Sequence, residues 1–203
     1  MGTSTSHPSP NTPSWRIARQ VLGRDAAPLA RQSEEIWKAA AADRGGRLGS
    51  ELASPILAAA GAVAAQATSP LDAVRAFNRI AAEQRESGLA LEIGRRALMR
   101  AVVSGGGASA FGAELFAEAA SYYASRDLSS YVGAAGRVAT SSESIALKDG
   151  LRAIAREAAG EVRVRTDSDG WSAFVRGTLQ ILTRAAPGRG AATDAGPHGG
   201  AGR

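Results

Sequence analysis

Along most of the chain, apolar residues return every three or four positions, and glycine or short polar turns interrupt them. This is the pattern of helices that pack through one face. The clearest start is Ser69-Pro70-Leu71-Asp72, where a hydroxyl cap, a first-turn proline and an acid at the positive end of the helix dipole precede Leu71, Val74, Phe77 and Ala81 at helical spacing. Gly88 is the expected stop. The next segment, Ala90 to Val103, places Leu91, Gly94, Leu98 and Val102 on one face and ends at Gly105-Gly106-Gly107. Phe111 to Ser125 turns Leu115, Phe116, Ala119 and Tyr122/Tyr123 inward. A longer helix capped by Ser142 carries the stripe Leu147, Leu151, Ile154, Ala155 and Ala158, and Asp167-Ser-Asp-Gly170 opens a last one with Trp171, Phe174, Val175, Ile181 and Leu182.

Upstream of these, Thr12-Pro13 predicts a short helix through Trp15, Ile17 and Val21. A second is expected from about Pro28 to Ala42, with Ile36 and Trp37 as its apolar contact, and a third from Ser50 to Ala67 with an irregularity at Pro55. The run Pro55 to Ala65 is apolar all round, which predicts a buried central helix, and it is too short for an ordinary membrane span. Ser129 to Val138 is a further short candidate. Glu161 to Thr166 alternates like a strand, but nothing else in the chain reads as a partner, so a connector or a lone edge strand in a dimer is expected. The whole predicts an all-α fold, a single helical bundle of about seven to nine helices. Its expected limits are residues 14–186, between a polar leader (1–13) and a Gly/Ala/Pro-rich tail (187–203), both expected to be disordered.

Composition narrows the chemistry. In 203 residues aromatics are 5%, so the core must be built mainly from Ala, Leu, Ile and Val. The larger candidates are Trp37, Phe77, Phe116, Tyr122, Tyr123, Trp171 and Phe174. The chain has no cysteine, which removes disulfides, thiolate metal sites and cysteine nucleophiles, and this together with the lack of a signal-like start predicts a cytoplasmic protein. The net charge of +5 rests on 24 basic residues, of which only Lys38 and Lys148 are lysine. Acidic residues are interspersed with them, so a mixed-charge solvated surface is expected rather than a dedicated basic groove.

Both histidines, His7 and His198, fall in the expected tails, leaving the body without an imidazole for a triad or a metal; no catalytic residue, metal or cofactor is expected. Glu114 and Glu118 stand one turn apart with no Glu-x-x-His companion, and a solvated acidic face is the expectation. Gly105-Gly-Gly-Ala-Ser109 before a helix suggests a phosphate loop, but it lacks the Gly-Lys-Ser/Thr ending, and a hairpin turn is expected. Lys148, Arg152 and Arg156 recur every four residues, and Arg163 and Arg165 extend the basic stripe. It reads as a nucleic-acid contact, as a contact for an acidic partner or as a plain solvated face. The leader Met1-Gly2-Thr3-Ser4-Thr5-Ser6 also satisfies the N-myristoylation pattern.

That same leader, ahead of a Pro-containing linker and an Arg/Ala-rich body, resembles the small QatB-type component of the bacterial Qat anti-phage defence system. Leu91 to Ala108 (LEIGRRALMRAVVSGGGA) is similar in character. The chain departs from the family's pattern at His7-Pro-Ser-Pro and Ser14-Trp15. The resemblance implies a non-catalytic member of a defence operon, working beside an ATPase, a QueC-like enzyme and a TatD-like nuclease. It also implies Gly2 as the site to which the QueC-like partner attaches a deazaguanine-type base. A nucleic-acid-binding accessory protein and an N-myristoylated effector are the alternatives.

Overall fold

A computed structural model of the protein describes Ser33, Ile36, Trp37 and residues 47–85, 88–128 and 140–184. Seven helices are delimited there: α1 Arg47–Leu52, α2 Pro55–Gln66, α3 Pro70–Glu83, α4 Leu89–Val103, α5 Gly107–Leu128, α6 Ser141–Gly160 and α7 Ser168–Arg184. Ser33, Ile36 and Trp37 are helical as well, and no strand occurs among the described residues. The expectations for residues 1–13, Thr12–Val21, Ser129–Val138 and 187–203 lie outside the described residues.

Helix α2 sits at the centre, against α3, α4, α5 and α7, as its apolar circumference requires. It buries Ile56, Leu57, Ala58, Ala60, Gly61 and Ala64. Helix α5 forms the second axis and packs on α6 and α4, while α7 closes the bundle against α6, α1 and α2. Small residues let these axes approach. A Cβ on Gly94 of α4 would stand 2.8 Å from Leu57 Cδ2, and one on Gly112 of α5 would stand 2.6 Å from Phe174 Cζ. Both glycines are therefore where a large neighbour seats, not where the chain turns.

The larger side chains bridge what alanine cannot. Phe111, Trp171, Phe174, Phe116 and Trp37 form a continuous row, with successive ring centroids 5.7, 5.2, 5.9 and 6.5 Å apart. Each such pair adds about 0.5–1.5 kcal/mol beyond its burial. Both buried indoles are satisfied by carbonyls at a distance in sequence. Trp37 Nε1 donates to Leu151 O at 2.7 Å, and Trp171 Nε1 donates to Leu52 O at 2.9 Å, at the end of α1.

Several boundaries differ from the sequence reading, each for a local reason. The segment Ser50–Ala67 is two helices: Pro55 lacks an N–H to continue α1, and Ser54, with φ −55° and ψ 138°, becomes the cap of α2. Gly88 does not close α3, which ends at Glu83. With φ 104°, it is instead the cap of α4. Helix α6 is capped by Thr140 rather than Ser142, through a reciprocal box in which Glu143 N–H donates to Thr140 Oγ1 at 3.2 Å and Thr140 N–H donates to Glu143 Oε2 at 3.3 Å. The buried face of α4 is Ile93, Gly94, Ala97, Leu98 and Ala101, which leaves Leu91 and Val102 at its margins.

Candidate functional site

Four of the charged residues singled out from the sequence, Glu114, Glu118, Arg152 and Arg156, meet between α5 and α6, and Arg100 of α4 joins them. Arg156 Nε and Nη2 donate to Glu114 Oε1 and Oε2 at 2.6 and 3.0 Å, a fork-to-fork pair. Arg152 Nη2 donates to Glu118 Oε1 at 3.2 Å and stands 3.9 Å from Glu114 Oε2. Arg100 of α4 reaches the same Glu118 oxygen with its Nε at 2.7 Å. The chain of charges runs Arg100–Glu118–Arg152–Glu114–Arg156, alternating in sign and stitching three helices.

The i, i+4 spacing that put Glu114 and Glu118 on one face of α5, and Arg152 and Arg156 on one face of α6, is what brings the two pairs into register. The two glutamates are therefore not a solvated acidic face. Glu118 is only 5% exposed and Arg152 14%, because α6 lies directly over α5. The Glu114 hydrogen bond is the main cause that raises the Arg156 guanidinium above its ordinary value. Arg152 Nε is buried without a partner, so the network is tight but not fully satisfied.

Of the remaining predicted residues, Lys148 is half-buried on α6, and Gly2 lies outside the described residues. Arg163 and Arg165 do not continue the stripe along α6, which ends at Gly160. They are exposed on the connector 161–167, whose Val162 Cγ1 lies where it would stand 3.1 Å from a Cβ on Gly177 of α7. Arg165 Nε pairs with Asp167 Oδ2 at 3.0 Å. Asp167 also caps α7 by accepting from Gly170 N–H at 2.9 Å, and this bond is the principal cause that holds its carboxyl below the usual range.

The triple glycine is a helix stop. Gly105, with φ 70°, donates its N–H to Val102 O at 3.0 Å, and Gly106 donates to Ala101 O at 3.2 Å, the paired bonds of a Schellman motif. The first two glycines therefore close α4, and α5 begins directly at the third. Among the described residues no group of three or more His, Cys, Asp or Glu is placed to hold a metal ion, and no helix is long and apolar enough to cross a membrane.

Two contacts escaped sequence reasoning. Tyr123 OH donates to the Glu51 carboxylate, tying α5 to α1, and Arg95 Nε donates to Asn78 Oδ1 at 2.6 Å, tying α4 to α3. Neither leaves a local signature, since the partners are far apart in sequence or on separate helices. Comparison of the chain with protein-family models, with curated proteins and with solved structures found no match.

Proposed function

We propose that the protein is a cytoplasmic, non-catalytic helical interaction protein of a bacterial anti-phage defence system, whose Gly2 arm is recognised or modified by an enzyme of the same operon. The observation that carries this reading is the leader Met1-Gly2-Thr3-Ser4-Thr5-Ser6. Glycine after methionine favours removal of Met1, and the uncharged Ser/Thr/Pro run that follows suits an extended arm that can enter an active site. The body supports the reading in a second way. Its cluster of Arg100, Glu114, Glu118, Arg152 and Arg156 sets three guanidiniums on two carboxylates and serves to hold helices together.

Expression together with the neighbouring genes, followed by intact and N-terminal peptide mass spectrometry, tests the proposal. The expected protein lacks Met1 and carries on Gly2 a nucleobase-like adduct that disappears when a QueC-like neighbour is deleted. Replacing Gly2 by a bulky residue should retain Met1, abolish biological activity and leave the helix content of the body unchanged. Full activity in that variant overturns the reading, and a myristoyl mass on Gly2 replaces it with that of a lipid-anchored effector.

A further inference from the structure

The connector between α6 and α7 has a property that the Gly2 reading does not use. From Val162 to Thr166 burial alternates with period two: Val162, Val164 and Thr166 are half-buried, while Arg163 and Arg165 are exposed. That is the signature of extended backbone laid on a core. The inner side is anchored by shape. Val162 rests over Gly177 of α7, and Thr166 Cγ2 would meet a Cβ on Gly61 of α2 at 3.4 Å.

The backbone of this segment is unusual in a helical protein. Val162 N–H closes the end of α6 by donating to Ala159 O at 3.3 Å, and Trp171 N–H donates to Asp167 O at 2.8 Å inside α7. Between them, no N–H or C=O of Arg163, Val164, Arg165 or Thr166 has a hydrogen-bond partner among the described residues. The segment is thus a connector that rests on the core through alternate side chains, and the backbone groups of 163–166 have no partner among the described residues. Unpaired edges of this kind are templates for a second strand.

The geometry points to a docking edge for an extended acidic peptide of a partner protein, added as a strand beside residues 163–166. In such a pairing the side chains of the incoming strand alternate. Those on the outer face stand opposite Arg163 and Arg165, and those on the inner face stand beside Val164. On that exposed face Arg163 and Arg165 stand between Glu161 and Asp167, so carboxylates are favoured opposite the two arginines, two residues apart with an apolar residue between them. Arg165 is 67% exposed and holds Asp167 through its Nε alone, so its outer nitrogens remain for a second carboxylate. Because the edge lies on α7 and does not involve Gly2, it stands whether or not the leader is modified.

The test is titration of the full chain with a labelled, end-capped peptide alternating valine and glutamate. Three control peptides accompany it: the same sequence N-methylated at alternate amides, a scrambled peptide of equal charge, and a valine–lysine peptide. The expected result is saturable binding of the first peptide alone, with amide exchange slowed at residues 163–166. Arg163→Glu should weaken it by roughly tenfold or more. Arg163→Ala, which removes the charge without reversing it, should weaken it less, and unchanged far-UV circular dichroism will show that both variants fold. Equal binding of the N-methylated or scrambled peptide overturns strand addition. So does absence of binding at millimolar peptide, or displacement of the peptide by single-stranded nucleic acid at lower concentration than by unlabelled peptide.

Discussion

Glu118 is the residue on which most depends. Its Oε1, almost wholly buried, meets both Arg100 and Arg152, so removing its charge takes from Arg100 its carboxylate partner and leaves Arg152 only the more distant Glu114. A buried pair is weak evidence of net stability when compared with a hydrophobic alternative, but breaking one partner is costly. Glu118→Gln should destabilise the fold by about 3 kcal/mol or more, read as a fall in the urea midpoint at unchanged slope. Asp167 is the opposite case, an exposed acid whose carboxyl is held low chiefly by the α7 backbone. A depressed folded-state value means that the cap stabilises above the ordinary carboxylate range and that this contribution is lost as pH falls through the folded value. The melting temperature of the wild type should therefore exceed that of Asp167→Ala at neutral pH, and the two should converge in strong acid.

At the scale of the element, start signals were legible and stop signals less so. Ser69-Pro70-Leu71-Asp72 behaves as read: Ser69 Oγ accepts from Asp72 N–H at 3.2 Å and returns a bond to the Asp72 carboxylate at 3.0 Å. Thr140 and Glu143 form an equally good box that Ser142, two residues on, obscured. Serine and threonine in succession offer several caps, and which one is used depends on where the incoming chain leaves the bundle. Thr140→Ala should cost about 1 kcal/mol in thermal or chemical unfolding, whereas Ser142→Ala should be close to neutral. The alternation at Glu161–Thr166 was also visible, and a connector is what the structure holds. Period two reported one buried edge, not a sheet.

At the scale of the whole molecule, the all-α bundle, the central apolar helix and most core positions followed from spacing alone. What joins the ends did not. Trp37 packs on Phe116 of α5 and donates to Leu151 O of α6, while Ser33 Oγ donates to Leu147 O at 3.4 Å. Ser33 and Trp37 are thereby locked to α6, 114 residues away in sequence, and Trp37 to α5 as well. Trp37→Ala should destabilise by about 3–5 kcal/mol. If the bundle is one cooperative unit, unfolding followed by circular dichroism and by the fluorescence of the remaining tryptophans should still coincide. Separate transitions would show that the N-terminal region folds on its own.

The sequence by itself determined periodicity, caps and the inventory of charges, because these depend on residues within a few positions of each other. It also supplied the leader from which the functional proposal is drawn. Only the tertiary structure decided which charges meet. Glu114 and Glu118 read as a solvated face, and Lys148, Arg152 and Arg156 as an open stripe, until the antiparallel register of α5 and α6 brought two of each together and took Arg152 and Glu118 out of water. A face is visible in one helix, but burial is a property of two. For the same reason Arg163 and Arg165, indistinguishable in the sequence from the arginines before them, are left exposed on the connector that α7 supports.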